Sequence, residues 1–264
     1  MSESAGRSFG EEGGQLTYGS YLRLPELLGQ QVLLSSPPVH DELLFIVVHQ
    51  TYELWFKELL HELTAVRDAL ASGSVAAARQ LLRRVHVIEE LLVSQVEVLE
   101  TMTPQDFGAF RSALAPASGF QSVQFRELEF LSGAKDPAFV RRFRSLTDDE
   151  RSRLATRLAE PTLWDAYVGL LAARGLPAGS DAEILASLVT VATERLRHED
   201  LWELAEDLLT HDELAARWRA RHVQMVERQI GTKSGTGGST GAPYLHSRVP
   251  LRYYPLLWDL RDLL

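Results

Sequence analysis

Two histidines, one arginine and a glycine-rich loop are the parts of this chain best suited to chemistry. His222 lies in the run DELAARWRARHVQMVERQIG. There Trp218, His222, Met225, Val226 and Gln229 recur at three and four residues and so share one helix face. Gly231 ends the run, where a left-handed residue is usual. In TKSGTGGSTGAP, which follows, Gly235, Gly237, Gly238 and Gly241 alternate with Ser234, Thr236, Ser239 and Thr240. Such a loop lets backbone approach a ligand closely and offers many small donors. An imidazole on a rigid helix, beside a loop able to wrap a small molecule, suits a binding site. The same residues also fit a satisfied core histidine and a flexible connection, and spacing alone does not separate the two. The loop follows a helix rather than a strand, so it is neither a dinucleotide fingerprint nor a phosphate loop.

His49 sits one turn after Phe45 in ELLFIVVHQTYELWFKELLHELTAVRDAL. This run is apolar nearly all round over Leu43–Phe56, which predicts a deeply placed helix. No obvious salt-bridge partner for His49 stands one turn away. It is either a neutral imidazole bonded to backbone or a pocket histidine. Phe107 and Arg111 are four apart in a helix that Thr103 caps and Pro104 begins. An arginine so placed either snorkels at the surface or grips a carboxylate through two parallel bonds.

The elements that must position these groups read as helices throughout. Expected segments run over about 41–70 and 75–101, from Thr103 onward, over 121–133 and over 137–145. A capping box at Thr147–Glu150 opens a segment reaching 174, and 181–209 precedes the helix of His222. No useful period-2 alternation and no internal repeat is present. The expectation is an all-α chain with a flexible segment at 1–14 and one helical domain over 15–264. Long core helices lie towards both ends of that domain, with a helical insert at about 134–205. The 264 residues can bury a substantial core. A net charge of −9 argues against a nucleic-acid surface. The absence of cysteine excludes disulfides, thiolate catalysis, iron–sulfur clusters and thiolate-bound haem, and suits a reducing compartment. With no apolar signal core and no run of membrane-spanning length, a cytoplasmic protein without membrane contact is expected.

Three segments carry a closer signal: HDELLFIVVHQTYELWFKELLHEL, FGAFRSALAPASGFQSVQFRELEFL and RHVQMVERQIGTKSGTGGSTG. Together they resemble the hallmark segments of the tryptophan 2,3-dioxygenase family, and LTYGSYLRL resembles its N-terminal arm. The four occur in the family's order between Leu16 and Tyr244, while 134–205 matches poorly. The resemblance implies an all-helical homotetramer with a haem b in each subunit, ferrous when active. It places His222 as the proximal haem ligand and His49 as the distal histidine facing the indole N–H. Arg111 falls on the group that binds the substrate carboxylate, and Thr236 on the group that contacts the amino-acid end. Phe45, Phe107 and Leu114 correspond to the indole pocket, and Ser118 and Gly119 to the turn beside the haem. Tyr18, Tyr21 and Leu22 correspond to an arm that a neighbouring subunit inserts. Some members carry Tyr at position 107 and some bacterial members Trp at the position of Val96, so pocket shape differs here. The implied reaction is cleavage of the indole C2–C3 bond of L-tryptophan by dioxygen to N-formyl-L-kynurenine, in tryptophan catabolism along the kynurenine pathway. Two other functions use the same residues. One is a related haem oxygenase adding a single oxygen to tryptophan or a substituted tryptophan, forming an oxindole in secondary metabolism. The other is a helical haem-sensing or interaction protein in which His49 and Arg111 are structural.

Overall fold

A computed structural model describes residues 16–142, 146–238 and 240–264. The segment 1–14, expected to be flexible, and Ser239 of the glycine loop lie outside the described residues. Among the described residues the chain is helical and contains no strand. Two short helices, α1 (Tyr18–Tyr21) and α2 (Leu24–Leu27), precede the long α3 (His40–Ala71) and α4 (Val75–Glu100). Shorter elements follow: α5 (Pro104–Arg111), α6 (Val123–Ser132), α7 (Pro137–Arg142), α8 (Asp148–Ala159), α9 (Leu163–Ala173) and α10 (Asp181–Thr193). A third long helix, α11 (Glu199–Ile230), leads to α12 (Ala242–Arg248) and α13 (Pro255–Asp259).

The frame is α3, α4 and α11, with α4 packed against both of the others. Their apolar residues recur at helical spacing: Leu59, Leu63, Val66 and Leu70 on α3; Leu82, Val85, Leu92 and Val96 on α4; Leu201, Leu204 and Leu208 on α11. All are buried, and each such side chain contributes about 1.5–3 kcal/mol on transfer from water. The Tyr52 hydroxyl donates to Leu92 O at 2.9 Å, which ties α3 to α4 without stranding a buried polar group.

Local sequence sets several boundaries as expected. Thr103 caps α5 in a box with Asp106, and Thr147 caps α8 in a box with Glu150. Two expected helices prove to be interrupted. The segment 150–174 breaks after Ala159, where Pro161 and a capping box between Thr162 and Asp165 restart the chain as α9. The segment 181–209 breaks at 194–198, so the helix of His222 begins at Glu199 and is 32 residues long. Gly231 does close α11 at positive φ (59°), but its ψ of −130° is not the left-handed helical cap that was expected. Within 134–205, α9 packs on α3, and Leu163, Tyr167 and Leu171 are fully buried in the main core. A second small core joins Phe130, Phe139, Leu146 and Leu154. Among the described residues no helix is long and apolar enough to cross a membrane.

Candidate active site

The face predicted on α11 borders a cavity of about 270 Å³: Trp218, His222, Met225, Val226 and Gln229 all line it. His222 makes no hydrogen bond among the described residues, and its ring stacks on Trp218 with centroids 5.0 Å apart and planes 5° from parallel. Burial pushes its pKa down to about 4, and the nearby His49 adds to the effect. The imidazole is therefore neutral at physiological pH. Its surface faces the cavity, so it offers a lone pair there.

His49 reaches the same cavity from α3. Its Nδ1 lies 2.7 Å from the carbonyl of Phe45. A carbonyl only accepts, so Nδ1 carries the proton and Nε2 keeps its lone pair. Burial lowers the His49 pKa, while the Phe45 carbonyl and the charge of Glu53 act in the opposite direction. Glu53, one turn further along α3, is thus the electrostatic partner that was not recognised in the sequence. Gln124 holds it, with Nε2 donating to both Glu53 O and Oε2 at 2.8 Å. His49 accordingly combines both expectations: it is bonded to backbone and it lines a pocket. Phe45 stands 4.0 Å from the His49 ring and 5.7 Å from Phe107, which makes an aromatic wall beside it.

Arg111 and the glycine loop close another side. Arg111 is half-buried, and its Nη2 donates to the carbonyl of Ser234 in the loop. Thr236 Oγ1 donates to Ala117 O at 2.6 Å. A Cβ on Gly237 would stand 2.5 Å from Ser118 Cβ, so the loop lies against the 116–118 turn as only glycine allows. Gly241 has φ 71°, and its Cβ would meet Lys233 O at 2.5 Å. Arg111, Ser118, Gly119 and Thr236 are all brought to the cavity with Phe45 and Phe107. Leu114 is not: it packs against the main core from a short 3-10 turn, Ser112–Leu114. Tyr18, Tyr21 and Leu22 are exposed and line no part of the cavity in this single chain.

The sequence reading missed three basic residues in the wall: Arg126, Arg219 and Arg248. Arg126 and Arg219 are each only 4 % exposed. Arg126 pairs with the buried Glu129, which Arg248 also approaches at 3.4 Å. Arg219 donates through Nη2 to Leu251 O at 2.7 Å. Nε of both Arg126 and Arg219 is buried without a partner. Arg126 and Arg248 share the one carboxylate of Glu129, and positive charge left over in the interior is costly unless a ligand brings anions. The only available signal was adjacency, since Arg126 follows GFQSVQF and Arg219 follows Trp218. Apolar Phe56, Val96, Leu99, Met102, Phe125 and Val223 complete the lining. An apolar chamber with an unpartnered imidazole and surplus guanidinium groups suits a flat, iron-bearing macrocycle that carries carboxylates.

The family model described as "Tryptophan 2,3-dioxygenase" matches residues 1–176 and 173–264. A protein of that name from Nocardioides sp. is 65 % identical over 259 residues, covering 97 % of each chain. A second, from Herpetosiphon aurantiacus, is 47 % identical over 256 residues, covering 93 % of this chain and 97 % of its own. A third, from Bradyrhizobium sp., is 42 % identical over 261 residues, covering 94 % and 92 %.

Proposed function

This chain belongs to the tryptophan 2,3-dioxygenase family, and from that premise we propose that it binds haem b through His222 and uses dioxygen to cleave the indole C2–C3 bond of L-tryptophan, giving N-formyl-L-kynurenine. The observation that supports it best is the meeting of four groups on one cavity. These are a neutral His222 without a hydrogen-bond partner, the free Nε2 of His49, the Arg111 guanidinium and Thr236 of the glycine loop.

Haem held by a single imidazole supplies the activation of dioxygen. The rest is work for this chain's own side chains. His222 is the ligand to the iron, and Trp218 stacked on it fixes the ring plane. Arg126 and Arg248 hold the carboxylates of the macrocycle. His49 Nε2 accepts the indole N–H, because Phe45 O occupies the other ring nitrogen. Arg111 uses one N–H on Ser234 O and has others free for the substrate carboxylate. Thr236 and the loop meet the amino-acid end and exclude water, and Phe45 and Phe107 form one aromatic wall against the ring. Polar groups matched to a zwitterion select one enantiomer, since the other would leave a buried group unpaired. In a homotetramer, Tyr18, Tyr21 and Leu22 complete the cavity of a neighbouring subunit.

Mass spectrometry of the product from L-tryptophan and ferrous protein under labelled dioxygen tests the reaction. Uptake of two labelled oxygens is expected. Uptake of one identifies an oxindole-forming oxygenase, and haem binding without reaction identifies a sensor. His222→Ala tests the ligand: a Soret band of full intensity and unchanged five-coordinate form would overturn that assignment.

A further inference from the structure

Trp218 and Arg219 border the large cavity and also a second one of about 40 Å³. Glu89 of α4, Ser132 of α6 and His211 of α11 line this smaller space, all of them buried. His211 Nδ1 lies 2.8 Å from Glu89 Oε1, and its Nε2 lies 2.9 Å from Ser132 Oγ. The connectivity Ser–His–Glu is that of a hydrolytic triad. Ser132 is nevertheless wholly buried, and the space beside it admits no ester or amide substrate, so nucleophilic catalysis is ruled out here.

Two features are left without a role. Glu89 Oε2 and Arg219 Nε are both buried and neither has a hydrogen-bond partner. An acceptor and a donor left bare in the interior are costly, and both belong to residues bordering one cavity. That cavity of about 40 Å³ exceeds the roughly 10–15 Å³ that one water requires, and its wall offers more than the two polar partners a buried water needs. We propose that ordered water fills this cavity and joins Glu89 Oε2 to Arg219 Nε, making Glu89 a positioning residue for the wall of Trp218 and Arg219 against which His222 is held. The inference rests on His222 being the haem ligand. Its consequence is electrostatic: a carboxylate held in the interior behind Trp218, which stacks on His222, favours the more positive, ferric state. Glu89 therefore lowers the reduction potential of the haem, and Ser132 and His211 hold its other oxygen in place.

The test compares three holoenzymes: wild type, Glu89→Gln and Glu62→Gln. Glu62 is an equally buried carboxylate, paired with Arg84, whose Oε2 also lacks a partner, but it lines neither cavity. The readouts are the midpoint potential of the haem and the iron–histidine stretching band. Glu89→Gln is expected to raise the potential and move the band at wild-type haem content, while Glu62→Gln moves neither. No change in Glu89→Gln, or the same change in both variants, overturns the proposal. Should Glu89→Gln not fold, a crystal structure of the wild-type holoenzyme decides. Water within hydrogen-bond distance of both Glu89 Oε2 and Arg219 Nε supports the proposal, and a dry cavity sinks it. If wild-type protein binds no haem, it is the functional reading above that fails, and the crystallographic water test still decides the cavity.

Discussion

Arg111 and His49 both reach the proposed substrate, yet they should fail differently when removed. Arg111 carries the charge that answers the carboxylate. Truncating one partner of a hydrogen-bonded charge pair at a desolvated site costs about 2–5 kcal/mol, which is roughly thirtyfold or more in kcat/KM. Because Arg111 is only half-buried in the free chain, the lower part of that range is the firmer expectation. His49 contributes one hydrogen bond, and its loss costs about 1–3 kcal/mol. The sizes overlap, so selectivity is the sharper measure. His49→Ala should lose most of the preference for tryptophan over 1-methyltryptophan, which has no N–H to give, while Arg111→Ala should weaken both substrates alike. If both variants lose only haem content and thermal stability, with selectivity unchanged, the two residues are structural. The protonation state of His49 yields a second prediction. Burial holds its pKa below the ordinary 6.5, so Nε2 remains an acceptor at pH values where a free histidine is half charged. The unfolded chain binds that proton more readily than the folded one. The stability contributed is therefore complete above pH 6.5 and is lost as the pH falls below it. The acid limb of kcat/KM for tryptophan should lie below pH 6.5, and a limb centred at or above 6.5 would contradict the burial of His49 as a neutral imidazole.

At the scale of elements, the glycine loop and α9 give glycines with opposite expectations. Gly237 meets Ser118 so closely that an added methyl must push the loop off the 116–118 turn, taking Thr236 with it. Gly237→Ala should raise KM for tryptophan while leaving haem content near wild type. Gly169 lies exposed in the middle of α9 with open space where a Cβ would go. Gly169→Ala should leave KM alone and stabilise the chain by about 0.5–1 kcal/mol through helix propensity, seen as a higher unfolding midpoint. The contrast follows from what each glycine touches, which a sequence does not display. Other features were legible because their cause is local. Thr103 and Thr147 announce helix starts by the residue three positions on, and the cavity-lining face of α11 is visible as a three-and-four spacing. The break before α9 could have been read in the same way, from Pro161 and the Thr162–Asp165 pair. The break at 194–198 could not, because Glu194–His198 contains neither glycine nor proline and the turn shows no local stop signal. Glu53 was also within reach, four residues past His49 on one helix. Arg126, Arg219 and Arg248 were not, since they come from α6, α11 and α12 and meet only in the folded chain.

For the whole molecule, the outer faces of the two longest N-terminal helices raise the question of assembly. Leu43, Val47 and Leu54 on α3 and Val87, Leu91 and Val98 on α4 are all exposed, and both sets repeat the offsets four and seven. Each set is one stripe of its helix. Tyr18 at 76 % and Tyr21 at 70 % exposed add aromatic surface that the single chain does not cover. Apolar surface on this scale marks a protein contact, and an obligate helical interface is large and apolar. The proposed homotetramer covers it, and the arm then acts in a site of another subunit. Mixing subunits tests this directly. An Arg111→Ala subunit has an intact arm and a disabled carboxylate site. A subunit with Tyr18→Ala and Tyr21→Ala has an intact site and a disabled arm. Each alone should form a nearly inactive oligomer with normal haem content. Denatured together and refolded into mixed assemblies, they should recover activity, because some sound sites then receive a sound arm from a neighbour. Were the arm to serve its own subunit, no mixture could place both sound parts in one site, and activity would stay at the sum of the two separate proteins. Recovery that rises with the fraction of mixed assemblies, measured after separating them by a charged tag on one subunit, is the expected result. A flat response, or a fully active monomer at low concentration in the ultracentrifuge, would show that Tyr18 and Tyr21 do not complete a neighbour's site.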